Sequence, residues 1–151
     1  MLEVERPADM KAHIGQKIGT SDWVMVDQSM IDKFAEATGD HQWIHVDVER
    51  AKRDMPGGKT IAHGYLTLSL LPRLSHGIYT IRRRSRGINY GSNKVRFTAP
   101  VSAGSRVRLH QTLRNVEDIE GGVRMTFDSQ IEVEGSTRPA LVAETMGLAF
   151  D

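Results

Sequence analysis

At 151 residues the chain is long enough to bury a hydrophobic core as one domain spanning 1–151. Its 39% hydrophobic and 26% charged residues are ordinary for a globular protein, and a net charge of +1 gives no global attraction for nucleic acid or an anionic membrane. The absence of cysteine excludes a disulfide framework, thiolate catalysis and cysteine-ligated zinc.

Residues 1–13 are charged and lack the apolar core of a secretion signal, and no apolar run approaches the ~20 residues of a membrane span. A cytoplasmic location is the expectation. Residues 22–26 are apolar and β-prone and predict a short strand. A helix follows, with Ser29 as its expected N-cap and Asp32 as a weak capping-box partner. Ile31, Phe34, Ala35 and Thr38 recur at i, i+3, i+4 and i+7, the stripe of one buried face, and Gly39 stands where a left-handed residue commonly closes a helix.

Residues 46–59, with Pro56, Gly57 and Gly58, predict a short helix or turn and then a loop. Residues 61–74 are apolar on nearly every side, predicting a helix buried all round, with Pro72 kinking or shortening its end. The remainder predicts strands: 87–98, then 105–116, 123–133 and 140–150, with turns at Glu120-Gly121-Gly122 and Gly135–Pro139. The alternation is clearest over 123–133, where Val123, Met125, Phe127, Ile131 and Val133 share one face. Consecutive strands joined by short turns make an antiparallel sheet, so the expected class is α+β, with the sheet wrapped around one apolar helix.

Chemistry concentrates in Gly39-Asp40-His41-Gln42-Trp43-Ile44-His45 and in Ala62-His63-Gly64. Asp40 and His45 lie on a turn leaving a helix, the kind of irregular segment that carries function on a rigid scaffold. A carboxylate and an imidazole together can orient a water and accept its proton. Gly64 opens the next helix, where first-turn amides lack intrahelical acceptors and glycine lets a substrate approach the backbone. Spacing does not suggest a metal centre: His41 and His45 are four apart, but Gln42 stands where a zinc protease has its glutamate.

These segments resemble the MaoC-like hydratases of the hotdog-fold superfamily, over nearly the whole chain. The family motif of glycine, aspartate, any residue, asparagine, proline, aliphatic and histidine is matched by residues 39–45, except that Gln42-Trp43 replaces Asn-Pro. That departure, with Ile88-Asn89-Tyr90-Gly91, is similar to the nodulation protein N-like branch, and Phe97–Gly104 is similar to the strand and turn before the family's last hairpins. The resemblance implies (R)-specific hydration of a trans-2-enoyl thioester. Asp40 and His45 would hold the water, and the Gly64 amide would bind the thioester oxygen.

It further implies a homodimer joined sheet edge to sheet edge, no cofactor beyond the coenzyme A (or acyl carrier protein) that belongs to the substrate, and no nucleic-acid or membrane partner. Trp43, His63, Tyr65, Asn89 and Tyr90 are candidates to border the thioester, with His63 also supporting the helix start. Arg82, Arg83, Arg84 and Arg86 are candidate contacts for the coenzyme phosphates, with Lys94 and Arg96 weaker ones. Two other roles fit the fold: a non-catalytic acyl-thioester-binding subunit, and a thioesterase. Helix 61–74 lacks the Asp or Glu a thioesterase would usually place there.

Overall fold

In the computed structural model, which describes residues 1–151, β1 (Leu2–Val4), a 3₁₀ turn (Pro7–His13), β2 (Lys17–Thr20) and β3 (Val24–Val26) precede the helices. Next come α1 (Gln28–Thr38), α2 (Trp43–Val46), α3 (Val48–Asp54), a second 3₁₀ turn (Pro56–Gly58), α4 (Gly64–Ser69) and α5 (Leu71–Ser75). The chain finishes with β4 (Tyr79–Ile81), β5 (Arg86–Phe97), β6 (Ser105–Ile119), β7 (Gly122–Val133) and β8 (Leu141–Phe150). No helix is long and apolar enough to cross a membrane.

Five strands lie in the order β2-β6-β7-β8-β5, with β3 beside β6 and every pairing in this sheet antiparallel. Period-two alternation puts Val107, Leu109, Ile131, Leu141 and Ala143 on the inner face, against Leu66, Leu70, Leu71 and Leu74 of the helical segment. The alternation of β6 slips where the register shifts between Leu113 and Asn115, a bulge that returns Val116 to the inside. Glu120-Gly121 joins β6 to β7. Gly121 has φ +77°, and a Cβ on Gly122 would meet the Ala149 carbonyl oxygen at 2.1 Å, so neither position takes a side chain readily.

Three expectations are corrected. α1 starts earlier than expected: Asp27, not Ser29, is its cap, its carboxylate accepting from Met30 N–H at 2.9 Å. Thr38 is exposed and its hydroxyl donates to the Phe34 carbonyl, so the buried stripe ends at Ala35. The segment 61–74 is neither one helix nor buried all round. It divides at Leu70, two residues before Pro72, which cannot donate to the carbonyl four residues back. Tyr65, Ser69, Pro72 and Arg73 are exposed, because the sheet covers only one side of it.

The N-terminal elements were not expected. β1 pairs in parallel with β4, and Met10, wholly buried, fills a second core with Val4, Ile81, Leu113 and Phe127. Burying a side chain of that size contributes roughly 1.5–3 kcal/mol.

Candidate active site

Gly39 ends α1 with φ +79°, and its N–H donates to the Ala35 carbonyl. The chain then turns sharply, and the Gln42 N–H reaches back to the Asp40 carboxylate at 3.3 Å. The short α2 carries His45 inward until it is 7% exposed, while Asp40 stays exposed. A carboxylate oxygen of Asp40 and one ring nitrogen of each of His45 and His63 lie within 4.8 Å of one another. Residues 23 positions apart in sequence therefore converge.

The hydrogen bonds assign the protons. His45 Nδ1 lies 2.7 Å from the Ile61 carbonyl oxygen, which can only accept, so Nδ1 carries the hydrogen and the neutral ring offers Nε2 as its lone pair. His63 Nε2 likewise donates to the Asp40 carbonyl at 2.9 Å. The His63 ring is stacked on His45 with centroids 3.9 Å apart and has Phe34 at 4.9 Å. Its Nδ1 is buried without a partner.

His63 thus corrects its expected place beside the substrate. It is 2% exposed and holds the backbone of Asp40 and the ring of His45 from behind.

Two residues with no chemical signature in the sequence complete the support. Gln28 of α1 donates to the His45 carbonyl at 2.8 Å and accepts from the buried Thr60 hydroxyl at 2.5 Å. The Ile61 N–H donates to the Ile44 carbonyl, so residues 60–61 and 44–45 are locked together. With Ser29 expected as the N-cap, Gln28 falls outside the helix, and nothing local to it points to its partner.

Gly64 follows His63 directly and opens α4, so its N–H has no intrahelical acceptor. A Cβ there would lie 3.0 Å from the Phe97 ring, so glycine keeps both the amide open and the ring seated. Tyr65, 69% exposed, packs its edge on Phe97 with centroids 5.8 Å apart, beside the Gly64 amide. Trp43 is half-buried under the Arg50 guanidinium, 3.9 Å from its ring centroid. Asn89 lies apart from these, in the wall of a separate cavity. Tyr90 is not brought to the site by its own chain. It sits at a bulge of β5 and turns to the polar face of the sheet, under Arg124.

The arginine run is largely occupied: Arg82 pairs with Glu3 at 2.7 Å, Arg83 with Glu5 at 2.6 Å, and Arg86 covers Phe150. Lys94 and Arg96 line a groove on the outward face of the sheet, away from α4.

The model of the MaoC-like domain matches residues 9–134. The chain belongs to the MaoC-like family. It is 54% identical to 3-hydroxyacyl-thioester dehydratase Z of Mycobacterium tuberculosis, covering 97% of each chain. It is also 47% identical to nodulation protein N of Rhizobium leguminosarum bv. viciae, over 90% of this chain and 86% of that one. The unliganded R-hydratase PhaJ1 from Pseudomonas aeruginosa, 20% identical, superposes with a TM-score of 0.73 over 91% of this chain and 82% of that one. The fold is therefore the hotdog, an α+β arrangement. This MaoC-like protein is an enzyme of the hydro-lyase class, a dehydratase or hydratase.

Proposed function

We propose that this enzyme reversibly adds water across the C2=C3 bond of a trans-2-enoyl thioester, giving an (R)-3-hydroxyacyl thioester. The observation that carries the reading is the convergence of the Asp40 carboxylate with His45, whose Nε2 is left as a proton acceptor. A water donating one hydrogen to each has its own lone pair free to attack C3. As the C3–O bond forms, Asp40 takes one of the water's protons and electron density moves to the thioester oxygen. The Gly64 N–H is the donor available to that developing enolate, and such a donor contributes typically ~3–4 kcal/mol. Transfer of that proton from Asp40 to C2 completes hydration and returns the carboxylate to its ionised form, and the reverse path is dehydration.

The thioester carrier is coenzyme A or an acyl carrier protein. The thioesterase alternative finds no carboxylate on α4 or α5. A purely binding role would leave the oriented pair without a task.

A homodimer is part of this reading. β5 is a 12-residue sheet edge, and Ile88, Tyr90 and Phe97 are 47%, 54% and 45% exposed along it. Such an edge presents unpaired backbone groups and apolar side chains that a second copy satisfies.

Crotonyl-CoA loses its conjugated absorbance on hydration, whereas a thioesterase releases thiol. Turnover with retained thioester is expected, and Asp40→Asn and His45→Gln are each expected to abolish it while leaving the circular dichroism unchanged. Full activity in either variant removes that residue from the mechanism.

A further inference from the structure

A cavity of about 650 Å³ has neither Asp40 nor His45 in its lining. Its lining includes Leu68 and Ser69, about one turn along α4 from Gly64, residues of α5, Tyr79, and β5 along one side. An acyl group whose thioester sits at Gly64 meets this cavity next.

Its wall is not simply hydrocarbon. Gln111, Ser75 and Thr145 line the cavity: Gln111, 4% exposed, accepts from Ser75 at 3.3 Å and donates at 3.3 Å to the buried Ser129 behind the wall, which bonds Thr145 at 3.2 Å. Beyond this ladder stands Tyr79, its ring stacked on Phe127 with centroids 5.6 Å apart. Burial pushes its phenol up from the ordinary value, and the Arg84 charge opposes that push. Arg84 lines the same cavity and, unlike Arg82 and Arg83, pairs with no carboxylate. An unpaired guanidinium and a phenol hydroxyl lining one cavity are groups that can together hold a carboxylate.

We propose that this cavity takes the distal end of the acyl chain and selects chains that end in a carboxylate, held by Arg84 and Tyr79. The inference rests on the thioester lying at Gly64 as in the hydratase reading. It adds a substrate class, the ω-carboxy-2-enoyl thioesters. Arginine is also suited to the phosphates of coenzyme A, so the test separates the two anions.

Binding of the unreactive saturated thioesters decanoyl-CoA and decanedioyl-CoA is measured by titration calorimetry on wild type, Arg84→Ala and Tyr79→Phe. The diacid is expected to bind about 10- to 100-fold tighter, the range of one charge-assisted hydrogen bond. Arg84→Ala should remove that advantage while leaving decanoyl-CoA affinity and crotonyl-CoA turnover unchanged, and Tyr79→Phe should remove part of it. Arg84 is exposed, so its replacement spares the core. Equal affinities in wild type overturn the proposal. So does an equal weakening of both ligands by Arg84→Ala, which assigns the residue to the coenzyme. Crotonyl-CoA turnover by wild type reports separately on the hydratase reading, since the calorimetric comparison needs no catalysis.

Discussion

The imidazoles of His45 and His63 lie face to face with centroids 3.9 Å apart and planes 26° apart, each donating one N–H to a backbone carbonyl. The two rings behave as one wedge. His63 holds Asp40 through its backbone carbonyl, and the stack fixes the plane of the His45 ring, one nitrogen of which lies within 4.8 Å of the Asp40 carboxylate.

His63→Ala removes both the stack and the donor to Asp40. Losing a hydrogen bond costs about 0.5–1.5 kcal/mol, so with the stack also gone kcat should fall roughly 10-fold with KM changed far less. Gln can restore the donor but not the ring. His63→Gln should therefore recover part of kcat, and steady-state kinetics on crotonyl-CoA will show whether it does. A KM effect alone would return His63 to the substrate border.

Gly64→Ala places a methyl 3.0 Å from the Phe97 ring and beside the open amide. Overpacking costs ~1–3 kcal/mol, and the helix preference of alanine offsets about 1 kcal/mol of it. Because Phe97 is half-exposed and can swing away, urea melts should shift by less than about 1 kcal/mol. Activity should drop tenfold or more. Adding Phe97→Leu should relieve the crowding without restoring kcat/KM, which separates a blocked amide from a strained core.

The β5 edge gives a prediction about assembly. Ile88→Lys puts a charge on an exposed apolar position of the proposed seam. Sedimentation should show the protein shifted from dimer to monomer with circular dichroism unchanged. An unaltered dimer places the seam elsewhere.

On the outward face of the sheet, Glu132 accepts from Arg108 at 2.7 Å and lies 2.6 Å from His110 Nε2. Hydrogen bonding to Arg108 first, and to His110 second, holds its carboxyl below the ordinary 4.5. A carboxylate depressed in the folded state stabilises fully above that ordinary value, and the contribution is lost as pH falls through the folded one. The group is partly solvent-exposed and screened, so the effect stays under about 1 kcal/mol. Denaturant melts should show the lead of wild type over Glu132→Gln present at pH 6 and shrinking on acidification below about 4.5. A lead that grows in acid would reverse the sign of this account.

Local chemistry made part of the molecule legible in advance. The alternation from Val123 to Val133 places one face of β7 in the core, and the glycine at 39 closes α1, because period and turn preference act between near neighbours in the chain. The Asp40–His45 segment was visible for the same reason, as polar groups on a turn just past a helix stop. The cap falls at Asp27 rather than the expected Ser29 because two acceptable caps stand two residues apart, and only the helix path chooses between them.

Contacts between distant residues had no such signature. Met10 fills a core built from β4, β6, β7 and β8; Gln28 grips the His45 carbonyl; and Tyr90 turns outward at a bulge. Each depends on strand register and on which face of the sheet is covered. The sequence alone determined the chemical groups and the elements that carry them. Tertiary packing decided which groups meet, because one residue of register exchanges the inside of a strand for the outside.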